Sequence, residues 1–126
     1  MLISGVSRGG ALSIAYAGTR AGVFIGATNF VGGWMSDYSA STRKINNTAF
    51  RRGAANKSPT LWLYAANDPF YSISHSRNNF DAFINAGGTG NFHVLAVLPS
   101  DNGHRISSNS TLWTTLVDAY LARVLR

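Results

Sequence analysis

A serine flanked by glycines is the first feature of this sequence that could carry out chemistry. Residues 5–9 (GVSRG) match the pattern G-x-S-x-G, in which a sharp turn between a strand and a helix exposes a serine hydroxyl. An apolar segment precedes the match and an alanine-rich segment follows it, as this turn requires. Gly5 and Gly9 would let the strand and the helix pass closely, and the backbone N–H of Arg8 would donate to an oxyanion. The pattern therefore predicts that Ser7 is a nucleophile.

A serine hydroxyl needs a histidine base and a carboxylate that orients the base. Asp68 directly follows an apolar run, and His104 lies in the loop after the next apolar run. The order Ser, Asp, His is the one expected for an α/β sheet that carries such a turn. In this arrangement, Asp68 accepts the Nδ1 proton of His104, whose Nε2 takes the proton of Ser7. Asp37 is the alternative acid, because it also follows a predicted strand closely.

The elements that must position these side chains alternate between short apolar runs and amphipathic runs. This alternation predicts βα units and a mostly parallel sheet. The predicted strands are residues 1–4, 23–28, 60–66 and 92–98. The predicted helices run from the serine turn to residue 18 and over residues 41–52, 72–85 and 108–126.

Composition limits the other kinds of site. The 126 residues are 45% hydrophobic, which is enough for one folded domain with a core. The net charge is +6, but no ladder of aromatic residues is interleaved with the basic cluster, so no nucleic-acid binding is predicted. The chain has no cysteine and no His-x-x-x-His spacing, so no metal site is expected. No apolar run reaches the length of about 20 residues that a membrane span needs. The basic cluster consists of Arg43, Lys44, Arg51, Arg52 and Lys57.

Three segments together resemble the nucleophile, acid and histidine segments of α/β-hydrolases. They are residues 3–10 (ISGVSRGG), 63–71 (LYAANDPFY) and 98–106 (LPSDNGHRI). The resemblance is nearest to esterases similar to dienelactone hydrolase. It implies a three-layer α/β/α fold with about four strands, equivalent to the carboxyl-terminal half of that family's fold. From their position next to Asp68, Phe70 and Tyr71 are also expected to line a pocket for the acyl group.

The resemblance also implies that residues 1–126 form a single partial domain. The strands that precede the serine turn in the family, and the loop that gives a second oxyanion N–H, are expected to belong to a longer chain or to a partner. The expected function is hydrolysis of a small carboxylic ester through an acyl-enzyme, without a cofactor. The alternative is a non-catalytic remnant, or an interaction module that associates through its exposed edge strand.

Overall fold

A four-stranded parallel sheet lies at the centre of the molecule. The computed structural model describes all 126 residues. In chain order, which is also their order across the sheet, the strands are β1 (Leu2–Val6), β2 (Gly26–Phe30), β3 (Thr60–Ala65) and β4 (Gly90–Leu95). All neighbouring strands are parallel. The carboxyl ends of the strands therefore meet at one edge, where side chains from distant parts of the sequence converge.

Helices cover both faces of this sheet. One face carries α1 (Arg8–Thr19), α2 (Ala40–Gly53) and α3 (Ile73–Asn85), and α2 packs against both of the others. The other face carries α4 (Thr114–Val124), which follows two short 3₁₀ segments. No helix combines the length and the apolar character that crossing a membrane would need.

Aromatic side chains fill the space between the layers. On one face, Trp62 of β3 is fully buried, with ring centroids 4.7 Å from Phe50 of α2 and 5.2 Å from Phe83 of α3. On the other face, Phe30 of β2 packs edge-to-face on Trp113, just before α4, at 5.2 Å. All six residues of β3 are buried, which is typical of a parallel strand covered on both sides. The predicted three-layer α/β/α class is thus confirmed.

The second strand was predicted three residues too early. The apolar run begins at Val23, but Val23 donates its N–H to the carbonyl of Arg20 in a turn. Phe24 then packs on Tyr16 of α1 at 5.9 Å, and the strand begins only at Gly26. Phe24 is therefore apolar because it covers α1, and not because it belongs to the sheet.

The last helix is shorter than predicted. Residues 108–113 were expected to be helical, but α4 begins at Thr114, after 3₁₀ segments at Gly103–Ser108 and Ser110–Leu112. The indole N–H of Trp113 donates to the carbonyl of Ile106 at 3.1 Å and so holds this stretch in a compact turn. This tertiary contact favours the turn over the helix that the spacing of the apolar residues predicts.

Two glycines on α1 allow a test of the packing between α1 and α2. A methyl group on Gly18 would overlap the backbone carbonyl of Arg52, whereas one on Gly9 would have nothing within 4 Å. We expect Gly18→Ala to lower the free energy of unfolding by about 1–3 kcal/mol through overpacking. Gly9→Ala should leave it unchanged or raise it by up to about 1 kcal/mol, because alanine is the better helix former. Urea unfolding measures both. Equal stability of the two variants would contradict the close helix contact.

Candidate active site

The turn that carries Ser7 is strained and firmly braced. Ser7 has a φ of 57°, a region that residues other than glycine rarely adopt. Its N–H donates to the carbonyl of Phe30 at 2.9 Å, and its own carbonyl accepts from Gly10 at 2.9 Å and from Gly33 at 3.2 Å. These bonds to β2, to α1 and to the loop after β2 hold the conformation in place. They leave the hydroxyl partly exposed at the carboxyl edge of the sheet.

The two glycines beside Ser7 do different things. A methyl group on Gly5 would overlap the carbonyl of Gly9, because the strand and the helix cross closely at this point. Gly9 itself has open space where a side chain would be. The expectation that glycine is needed for close approach therefore holds for Gly5 and not for Gly9. The backbone N–H of Arg8, the first residue of α1, has no acceptor within the helix and remains free to donate.

His104 lies between Ser7 and Asp68. Its Nε2 is 3.0 Å from the hydroxyl oxygen of Ser7, and its Nδ1 is 2.9 Å from Oδ2 of Asp68. The side chain of His104 is 16% exposed and that of Asp68 is 0% exposed. The structure thus brings the three predicted residues into one chain of hydrogen bonds. The catalytic role of these three residues stays a prediction.

Asp68 is held by the turn that follows β3. Its Oδ1 accepts the backbone N–H of Phe70 at 2.8 Å and that of Tyr71 at 3.2 Å, while Oδ2 is left for His104. A buried carboxylate must be satisfied in this way, because an unpaired one would be costly. Asp68 therefore serves as a turn residue and as the partner of His104 at the same time.

Asp37 makes a different set of contacts. Its Oδ2 accepts the backbone N–H of Ser72 at 2.9 Å, and it makes no hydrogen bond to His104. Burial acts to raise the pKa of Asp37, but the hydrogen bonds from Ser72 and the interaction with His75 together lower the pKa below its ordinary value. The structure therefore pairs His104 with Asp68 and leaves the alternative acid at the start of α3.

The loop that carries His104 is tied to the end of β3 by Asn67. The side-chain amide of Asn67 donates to the carbonyl of Leu98 at 3.1 Å and to that of Asp101, and its backbone carbonyl accepts from Gly103 at 3.3 Å. These bonds keep the strand end with Asp68 and the loop with His104 together. Nothing in the sequence signals this role, because an asparagine beside an aspartate and a proline is ordinary in a turn.

A cavity of about 640 Å³ opens beside the serine hydroxyl. Much of its wall is formed by large apolar side chains that are partly exposed, which is typical of a binding site. Phe70 and Tyr71 line it, as expected, and Phe70 lies edge-to-face on the His104 ring at 4.7 Å. The guanidinium of Arg8 lies over Trp34, 5.3 Å from the ring centroid. The lining residues are Ser7, Arg8, Trp34, Met35, Ser36, Tyr38, Phe70, Tyr71 and His104.

The loop after β2 forms one wall of this cavity under backbone strain. Met35 and Ser36 have φ angles of 54° and 66°. Asn46 of α2, fully buried, holds the loop by accepting the N–H of Trp34 at 2.5 Å and donating to the carbonyl of Trp34 at 3.1 Å. The hydroxyl of Tyr71 accepts the N–H of Ser36 at 3.3 Å. Strain that the surroundings enforce in this way is common at functional sites.

Solved structures of α/β-hydrolase-type enzymes resemble this arrangement of strands and helices. SOBER1 from Arabidopsis thaliana has a TM-score of 0.68 and 21% identity, over 99% of this chain and 53% of its own. A protein assigned as a dienelactone hydrolase from Klebsiella pneumoniae has a TM-score of 0.66 and 19% identity, over 99% and 51%. The esterase Pf2001 from Pyrococcus furiosus has a TM-score of 0.69 and 10% identity, over 97% and 52%. No protein-family model and no curated protein matches the chain.

The chain has an α/β-hydrolase fold. It spans about half the length of the solved structures that it resembles. The resemblance stated from the three sequence segments is therefore confirmed for the fold, including its likeness to dienelactone hydrolase. At these levels of identity the likeness concerns the fold, and the chemistry must be argued from the site.

Within the hydrolase fold, Asn67 offers a test of how the histidine loop is positioned. We expect Asn67→Ala to loosen this loop, because it removes two hydrogen bonds worth about 1 kcal/mol each. Hydrogen exchange of the Gly103 and His104 amides should become faster, by roughly tenfold for each 1.4 kcal/mol lost. Asn85→Ala, at the exposed end of α3, is the matched control and should leave these amides unchanged. Unchanged protection in Asn67→Ala would show that the loop does not depend on this side chain.

Proposed function

We propose that the protein is a serine hydrolase that cleaves carboxylic esters, with Ser7, His104 and Asp68 as its catalytic triad. The observation that carries the proposal is the continuous chain of hydrogen bonds of 3.0 Å and 2.9 Å through His104. An α/β-hydrolase fold is compatible with many reactions, so it supports the proposal only as background. The fold neighbours described as esterase and dienelactone hydrolase agree with it.

In the proposed reaction, Ser7 Oγ forms a bond to the carbonyl carbon of the ester while its proton passes to His104 Nε2. The tetrahedral intermediate then collapses, the bond to the alcohol breaks, and His104 returns the proton to the departing alcohol. Water next attacks the acyl-enzyme, with His104 as the base. The acid leaves and Ser7 regains its proton.

Asp68 fits the role of the group that orients and stabilises the imidazolium. Its carboxylate is fully buried and fixed by two backbone N–H groups, so it cannot turn away from Nδ1. Fixing Nδ1 as the protonated nitrogen leaves Nε2 free to accept a proton from the serine. The positive end of α1 and the free N–H of Arg8 would stabilise the charge on the carbonyl oxygen.

The cavity supports an ester with a sizeable apolar part. Trp34, Met35, Tyr38 and Phe70 surround the nucleophile and are all partly exposed, so an apolar acyl or alcohol group would cover them. Burial of such surface stabilises the complex by about 25 cal/mol per Å². Peptidase, thioesterase and acyltransferase reactions use the same triad, and the apolar wall alone does not separate them from ester hydrolysis.

Turnover by this chain is expected to be slow. The HGGG motif that gives a second oxyanion donor in related esterases does not occur in the sequence. One missing donor lowers turnover by about 10²–10³. A reagent that reports the first covalent step is the more sensitive test.

The test is covalent labelling with a fluorophosphonate, followed by mass spectrometry of the labelled peptide. We expect one adduct per chain, on Ser7, and none in Ser7→Ala. Ser4→Ala is the matched control, because it removes a nearby hydroxyl on β1 that bonds to Thr28 and not to His104. Labelling on another residue, or labelling that survives in Ser7→Ala, would contradict the proposal.

A second candidate function is favoured by the open edge of the sheet. Strand β1 pairs only with β2, and Val6 on it is 44% exposed. Unpaired edge strands readily accept a strand from another chain. We propose as the alternative a non-catalytic role in which the chain associates through this edge. Folded protein that is never labelled at Ser7 would support this alternative over the hydrolase.

A further inference from the structure

A second cavity, of about 610 Å³, lies between α2 and α3. No apolar residue lines it, in contrast to the cavity beside Ser7, and the two cavities share no residue. We call it the α2–α3 groove. Its lining residues are Arg43, Lys44, Asn47, Ser72, Ser74, His75, Asn78 and Asn79.

The groove carries two positive charges and no carboxylate. Neither the Arg43 guanidinium nor the Lys44 ammonium lies within salt-bridge distance of a carboxylate. Arg43 is held in place because Nη1 donates to the backbone carbonyl of Asp37 at 3.1 Å, which leaves the rest of its guanidinium free. The carboxylate of Asp37 does not line the groove but lies beside it, where it accepts the N–H of Ser72 and interacts electrostatically with His75. Two cations without a salt bridge outnumber this one carboxylate, so the concave site favours an anionic ligand.

His75 adds a fixed neutral donor. It is 8% exposed and stacks on Tyr71 at 5.8 Å, and its Nε2 lies 3.2 Å from the side-chain amide of Asn79. Burial lowers the pKa of His75, and the charge of Arg43 lowers it further, although Asp37 opposes this. The ring is therefore neutral at neutral pH. When the Asn79 amide donates to Nε2, Nδ1 carries the proton, and Nδ1 makes no hydrogen bond within the protein.

Serine hydroxyls complete the set of donors. Ser72 and Ser74 lie at the start of α3, and their hydroxyl oxygens are 3.2 Å apart at the edge of the groove. Each hydroxyl can rotate to donate to a ligand oxygen. Two cations, an imidazole N–H and two hydroxyls thus come from two different helices to one concave surface.

We propose that the α2–α3 groove binds the phosphate group of a phosphate monoester. Such a group has about −1.5 to −2 charge at neutral pH and three strong acceptor oxygens, which match the two cations and the neutral donors. The volume of the groove exceeds that of a phosphate ion, so it leaves room for the molecule that carries the phosphate. This binding does not depend on the chemistry at Ser7, because no residue of the groove belongs to the hydrogen-bond chain.

The test compares two double variants of α2 that remove the same charge. Arg43→Gln with Lys44→Gln alters the groove, whereas Arg51→Gln with Arg52→Gln alters the far end of the same helix, outside the groove. Binding of glycerol 3-phosphate to the whole chain is measured by calorimetry and by amide chemical shifts, with glycerol as the uncharged counterpart. We expect the first pair to weaken binding by about tenfold or more, because it removes charge-assisted hydrogen bonds. The second pair should leave binding nearly unchanged.

The source of the phosphate is distinguished by two further ligands. Inorganic phosphate and vesicles containing phosphatidic acid are compared with glycerol 3-phosphate in the same variants. Groove-dependent binding of the soluble ester supports a small-molecule ligand, and groove-dependent binding of the vesicles alone supports a lipid headgroup. Equal weakening by both double variants would show a non-specific effect of net charge and overturn the proposal. Absence of binding to every phosphate ligand would also overturn it.

Discussion

The hydrogen bond between His104 and the buried carboxylate of Asp68 is the interaction on which the site depends. The Asp68 side chain is fully buried, so its charge must be matched by donors, and two backbone N–H groups and one imidazole N–H match it. This requirement fixes the orientation of the His104 ring, and the ring in turn forms a hydrogen bond with the Ser7 hydroxyl. The parallel sheet makes the contact possible, because Ser7, Asp68 and His104 follow β1, β3 and β4 at one edge.

Much of this arrangement could be predicted from the sequence because its signals are local. A strained turn needs glycine where the backbone crosses closely, and Gly5 supplies it. The run from Thr60 is apolar throughout because β3 is covered on both faces, and the polar residues after each strand show where the strand ends. The choice between Asp68 and Asp37 could not be made from order alone, since both follow strands. It depends on which carboxylate the turn holds toward His104.

The features that could not be predicted arise from tertiary contacts. Asn46 and Asn67 are ordinary polar residues in the sequence, yet one supports the strained wall of the cavity and the other ties down the histidine loop. The α2–α3 groove is likewise invisible in the sequence, because its cations and hydroxyls come from helices nearly 30 residues apart. The stack of Tyr71 on His75 lies between the groove and the cavity beside Ser7.

The central claim is that Ser7, His104 and Asp68 act as one unit, and a double-mutant cycle tests it most directly. The measurement is the rate at which a fluorophosphonate modifies Ser7 in the unaltered chain, in His104→Ala, in Asp68→Asn and in the protein with both changes. If Asp68 acts through His104, the double variant should react about as slowly as His104→Ala alone, because residues that work as a unit are non-additive. The account would be contradicted if the rate reductions of the two single variants multiplied in the double variant. An unchanged rate in His104→Ala would also contradict it.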